Sequence, residues 1–212
     1  MVRVRAVALA AVLLAACGGD GGEGRIGDAA PGTLELTPET TTTMPEDTSM
    51  ADLLIEDAPE GYVQADAAMG AGPLDLEGAA AAEVDHAAER ALLETRGFQR
   101  GWSRAWLTPD DDVVYVAAYE LGSDEAAARY LEDGTETLLA RGAEPFDVPG
   151  VDGARGYVTL DESEAGTFTA YAVAFTRGPH WFLVLNGSAG SGASPDVARA
   201  LAEVQARRVE GP

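Results

Sequence analysis

One cysteine, Cys17, stands in the whole chain of 212 residues. No disulfide can form within the chain, so whatever folds is held by packing alone. Structural zinc sites built on several thiolates are excluded with it. A domain of about 150 residues can still bury enough core to do without such staples.

The surroundings of Cys17 are equally restrictive. Arg3 and Arg5 precede an apolar run from Ala6 to Ala16, and Gly18 and Gly19 follow the cysteine. A cationic start, a short apolar stretch and small residues at its end make an export signal. The run falls short of the roughly 17–25 residues that span a bilayer as a helix. Leu14-Ala15-Ala16-Cys17 resembles the lipobox of bacterial lipoproteins. That resemblance implies removal of a signal peptide, 1–16, and a diacylglycerol thioether on the Cys17 sulfur. It also implies an acylated new N-terminus, held on the extracytoplasmic face of the cell membrane. At about 0.8 kcal/mol per buried CH₂, two or more chains anchor firmly where one would exchange.

Charge narrows the partners. The chain carries 36 acidic and 14 basic residues, a net of −22, and every base is Arg. Loss of the leader deepens the deficit, because it removes Arg3 and Arg5 and no acid. A nucleic-acid backbone must be met by cations, so nucleic acid is not expected as a partner. Anionic headgroups are repelled too, so the expected membrane contact runs only through lipid on Cys17. Solubility is the plainest reason for so much acid. An envelope protein or a small ligand remains as partner, and no cofactor is expected.

Residues 17–51 read as a tether. Gly18, Gly19, Gly21, Gly22 and Gly24 alternate with Asp20 and Glu23, then Pro31, Pro38, Pro45 and Thr40 to Thr43 follow. Apolar residues are too sparse to offset the entropy of ordering. A flexible stretch of this length reaches about 30 Å. The globular domain is expected over 52–209, with 210–212 as a tail.

Periodicity places the elements. Pro73 and Asp75 open a predicted helix over 76–96, with Val84, Ala87, Ala88, Ala91 and Leu92 as its apolar face and Gly97 as its stop. Strands are predicted over 98–107 and 113–121, joined by a hairpin loop at 108–112. Ser123 caps a second helix, 124–140, that buries Ala127, Tyr130, Leu131, Leu138 and Leu139; Gly134 weakens it by about 1 kcal/mol relative to Ala. Strands follow near 144–148, 154–160, 167–176 and 180–186, with 161–166 as a charged loop. Ser194 and Pro195 start a last helix with Val197, Leu201 and Val204 as its stripe. Hairpins interrupted by helices predict an α+β fold: one antiparallel sheet of about six strands with three helices packed on it.

The phrase Gly97-Phe98-Gln99-Arg100-Gly101-Trp102-Ser103-Arg104-Ala105-Trp106, followed by Val113-Val114-Tyr115-Val116, resembles the first hairpin of PsbP-like domains, as found in small actinobacterial lipoproteins. The resemblance implies an α-β-α sandwich over 52–209. It carries no reaction with it, since function belongs to sites and not to folds.

The most unusual pattern lies in that first strand. Alternation puts Phe98, Arg100, Trp102, Arg104 and Trp106 on one face. Arg100, Trp102, Arg104 and Trp106 are the candidate ligand-binding residues, able to hold an anionic or aromatic ligand by pairing and stacking. The alternative is that the rings pack under a helix while the Arg stems snorkel to nearby acids. A bulge at Gly101 would separate the two tryptophans. His86 and His180 lie far apart with no motif between them, and Gly187 to Gly192 misses both the nucleophile-elbow and the P-loop spacing. Asp110-Asp111-Asp112 lacks the spacing of a calcium loop. No residue is assigned to catalysis or to a metal. The expected function is therefore non-catalytic binding. Two alternatives are a lipid or amphiphile carrier, with a cavity lined by Trp102, Trp106, Tyr115 and Phe182, and an envelope hydrolase with an unrecognised site.

Overall fold

The computed structural model describes residues 48–65, 70–163 and 166–210. Cys17, the leader and the tether as far as residue 47 lie outside the described residues. Five helices are described: α1 (Thr48–Asp52), α2 (Leu76–Ala80), α3 (His86–Thr95), α4 (Asp124–Ala140) and α5 (Pro195–Glu210). The strands are β1 (Val63–Gln64), β2 (Gly72–Leu74), β3 (Arg100–Leu107), β4 (Val113–Glu120), β5 (Glu144–Phe146), β6 (Arg155–Ser163), β7 (Gly166–Arg177) and β8 (His180–Ser188). They form one eight-stranded antiparallel sheet in the order β1-β3-β4-β8-β7-β6-β5, with β2 also on β3. The α+β class and the antiparallel sheet match the sequence reading. The counts do not: there are eight strands and five helices among the described residues, against about six and three.

Each difference has a local cause. β1 and β2 are too short to show a period of two, and both lean on β3. The predicted helix 76–96 breaks into α2 and α3, because Asp85 accepts a hydrogen bond from the Ala88 N–H and starts a new helix. The break turns the expected face outward: Val84 is 52% exposed, and Leu93 is the buried residue of α3. The packed region also begins ahead of residue 52, since Met50 of α1 is buried in the core. β6 and β7 run into the stretch expected as a charged loop at 161–166. Leu139, expected in the core, is exposed on α4.

Alternation along the strands divides the core in two. Val114, Val116, Val173, Phe175, Phe182 and Val184 face α1 and α5. Ala117, Tyr119, Ala172, Ala174 and Leu183 face α2, α3 and α4. α5 turns Ala198, Ala202 and Ala206 to the sheet, and leaves Val197 and Val204 partly in solvent. The expected stripe is therefore rotated; small side chains let the helix backbone come close. Gln205, fully buried on the same face, accepts from the Ile55 N–H at 3.0 Å and donates to the Leu53 carbonyl at 2.6 Å. Arg208 donates to the Asp52 carbonyl at 2.8 Å. These bonds fasten the start of the domain to its last helix.

The β3–β4 register is continuous from Arg100↔Glu120 to Leu107↔Val113, so no bulge forms at Gly101. Gly101 makes room instead: a Cβ there would lie 2.9 Å from the Tyr119 ring and 3.1 Å from the Ala118 carbonyl.

Candidate functional site

The sequence candidates on β3 are held by their own chain. Trp106 is 1% exposed within the core under α1 and α5, and Trp102 packs against the same core. Arg104 donates to the Ile55 carbonyl at 2.8 Å and to the Ala51 carbonyl at 3.2 Å. It thereby satisfies the Ile55 carbonyl and adds a second bond to the Ala51 carbonyl, which also accepts from the Leu54 N–H at 3.1 Å. Burial lowers the Arg104 pKa from its ordinary value, with Arg208 acting the same way and Glu56 and Asp52 opposing. Arg100 pairs with Glu120 directly across the ladder at 2.5 Å. Phe98 does not join this face; its ring meets Tyr119 edge-on at 5.5 Å, on the side of α3 and α4. Trp102, Ser103 and Arg104 also border a cleft of about 420 Å³ with Glu56, Gln64 and Gly72. Arg104 gives one bond from each terminal nitrogen to backbone there, and with Trp106 buried these two members of the ladder serve the packing of the domain.

The remaining candidates stay apart. His86 opens α3, while His180 opens β8, its ring 6.2 Å from Phe182. Among the described residues no group of three His, Cys, Asp or Glu side chains is arranged to hold a metal. Asp110 to Asp112 form a tight turn, with Asp111 at φ 64° and the Asp112 N–H donating to Thr108 Oγ1 at 3.0 Å. The Gly/Ser stretch is ordered by buried Ser188, whose Oγ accepts from the Gly190 N–H at 2.8 Å. Asn186 accepts from the Ser194 N–H at 3.0 Å just before α5.

The opposite face of the sheet holds a concavity that the sequence reading missed. A cavity of about 90 Å³ lies where α3 and α4 cross β6, β7 and β8. Its carboxyl groups come from Glu83, in the link between α2 and α3, and Glu89 of α3; its rings come from Tyr130 of α4, Tyr157 of β6 and Trp181 of β8. The space exists because the crossing residues are small. Gly134 of α4 and Ala172 and Ala174 of β7 line it, and a Cβ on Gly134 would meet nothing within 4 Å.

The rings are fixed from several sides. Tyr130 and Trp181 stand edge to face at 5.1 Å and 83°, forming a corner. Tyr119 backs both, 5.0 Å from Trp181 and 6.1 Å from Tyr130. At one end of the cavity the Tyr130 hydroxyl donates to Glu89 Oε1 at 2.5 Å. At the other, Thr135 donates to the Leu131 carbonyl at 2.7 Å and its Oγ1 meets the Tyr157 hydroxyl at 2.5 Å. With its own hydrogen so used, Thr135 accepts from Tyr157.

Burial dominates the electrostatics. It pushes the Glu83 carboxyl up to about 8, with help from the neighbouring Glu89 charge, while Arg141 pulls it back. Glu89 is raised as well, again by burial, and the Tyr130 hydrogen bond and Arg141 oppose. Tyr130 and Tyr119 are driven well above the ordinary phenol value. Tyr130 therefore keeps its proton and donates. Two carboxyl groups thus face an apolar, aromatic hollow without a full complement of positive charge.

No protein-family model matches the sequence, and no curated protein matches it. Among solved structures the chain is similar to the extracellular domain of PknH from Mycobacterium tuberculosis. The TM-score is 0.52 at 9% identity, over 77% of this chain and 96% of that one. At this identity what the two share is the fold. A protein of Bacteroides thetaiotaomicron VPI-5482 matches with a TM-score of 0.33 at 12% identity, over 46% of this chain and 35% of its own. No helix among the described residues is long and apolar enough to cross a membrane.

Proposed function

We propose that this chain is an extracytoplasmic lipoprotein, anchored through lipid on Cys17, whose domain is a non-catalytic binding module. Its ligand enters the cavity between α3, α4 and the sheet. One observation carries the binding reading: Glu83 and Glu89 converge with Tyr130 and Trp181 on one hollow, in the pattern of a small-ligand site, apolar walls with a few placed polar groups. The anchor is supported by the setting of Cys17. The likeness to a domain described as extracellular agrees with an envelope location. The PsbP-like assignment belongs to the same proposal, and helices on both faces of one sheet support it.

The carrier reading loses its residue set. Trp102, Trp106 and Phe182 face α1 and α5, whereas Tyr115 packs with the cluster on the other side of the sheet. A cavity of about 90 Å³ is also far too small to enclose an acyl chain. It suits a small head group rather than an acyl chain. No observation favours the hydrolase.

Two measurements test the proposal. Cys17→Ala should move the protein out of the membrane fraction; unchanged membrane retention would refute the lipid anchor. Native mass spectrometry of the full chain from its own host should show a small adduct that Glu89→Gln loses. A clean apo mass would refute the binding role.

A further inference from the structure

We propose that the cavity between α3, α4 and the sheet binds a small organic cation, a protonated or quaternary amine head group, seated in the corner of Tyr130 and Trp181 and neutralised by Glu83 and Glu89. The inference rests on the binding role proposed above and names the ligand class for that same hollow. Three observations meet here.

The first is shape. Tyr130 and Trp181 both line the hollow, set edge to face at 83° and 5.1 Å, with Tyr119 packed behind them at 4% exposure. Ring quadrupoles attract cations, most strongly where the site is desolvated. The second is charge. Both carboxyl groups that line the hollow are acidic side chains from different elements, and Arg141, the cation that faces them, acts only through space. Tyr130 holds Glu89 by a hydrogen bond and fixes the direction of its free oxygen. The third is size. About 90 Å³ admits an ammonium head with a few carbons and excludes a large ring system.

The protonation behaviour agrees with this geometry. Burial without a sufficient counter-charge raises both carboxyl groups, Glu83 to about 8, so that Glu83 holds its proton at neutral pH. A bound cation supplies that charge, so binding should release protons. The titratable groups around the pair are each other, Tyr130 from α4 and Arg141 just after its end, and Tyr119 and Tyr115 from β4. The tyrosines stay protonated across the neutral range. The released protons therefore come from the carboxyl side, from Glu83 in particular.

The test is calorimetric titration of the full chain with choline and with 3,3-dimethylbutanol, its uncharged counterpart of the same shape, at pH 7 in two buffers of different ionisation heat. Saturable binding of choline is expected, at least about tenfold tighter than the alcohol, with a heat that varies with the buffer. Glu89→Gln and Glu83→Gln should each weaken choline roughly tenfold while circular dichroism stays native. Equal binding of the alcohol would overturn the cation assignment and leave the cavity as a ligand site. Binding of neither probe, with methylamine also silent, would overturn both. Binding that survives both Gln variants, alone and combined, would also refute the proposal.

Discussion

The Tyr130 hydroxyl donates to Glu89 Oε1 at 2.5 Å and so joins α4 to α3 across a hollow in the core. The bond fixes a carboxyl group that burial would otherwise leave poorly solvated. Tyr130→Phe keeps the ring contact with Trp181 and deletes only the donor. We expect a loss of about 1–3 kcal/mol, the cost of leaving a buried acceptor unmatched. Urea unfolding measures it, and an unchanged midpoint would show that water replaces the hydroxyl freely.

Gly134 sits inside a helix, where glycine is unfavourable by about 1 kcal/mol relative to alanine. Its added methyl would meet no neighbour within 4 Å and would project into the cavity. Gly134→Ala should therefore raise the melting temperature and weaken choline binding. A rise in stability with undiminished binding would place the ligand elsewhere.

Glu83 makes stability depend on pH. Its carboxyl titrates near 8 in the fold against 4.5 in the unfolded chain. Between these values the folded state holds a proton that the unfolded state has released. The stabilisation is complete below about 4.5 and disappears as pH rises through about 8. Urea midpoints should fall over that window. In Glu83→Gln, neutral at every pH, the fall should be shallower, and the variant should exceed the parent at pH 8. Equal slopes in both proteins would refute the assignment.

Arg104 joins β3 to the α1 segment through the carbonyls of Ala51 and Ile55. Arg104→Met keeps the apolar stem and removes both donors. A loss of about 1–3 kcal/mol is expected, with cation binding unchanged because the residue lies on the other side of the sheet. Phosphate titration, monitored by Trp102 and Trp106 fluorescence, should be silent in parent and variant alike. A saturable response in the parent alone would restore the Arg–Trp face as an anion site.

Local signals were readable; meetings between distant elements were not. Helix 124–140 and its Ser123 cap could be read because the cap and the apolar spacing lie within a few residues of one another. The 108–112 turn was equally local. The Asp85 cap carried the same kind of signal, yet the apolar spacing of Val84, Ala87 and Leu92 masked it. On α5, valine outranks alanine in hydrophobicity, but close approach to the sheet favours Ala198, Ala202 and Ala206. The cavity was hidden for a different reason. The pair Glu83 and Glu89, Tyr130 and Trp181 come from three separate parts of the chain, and nothing in their local spacing marks them. The clearest hint was Gly134, a helix-weakening residue whose cost has no local explanation.

The clasp formed by Gln205 on Leu53 and Ile55 bears on the order of assembly and on mechanical load. A polypeptide delivered N-terminus first cannot shut this domain until its final helix has emerged, so the opening segment must wait undocked through synthesis or export. Once shut, a tug on the leading end is resisted first by α5, and the two extremities of the domain should give way together before the central strands part.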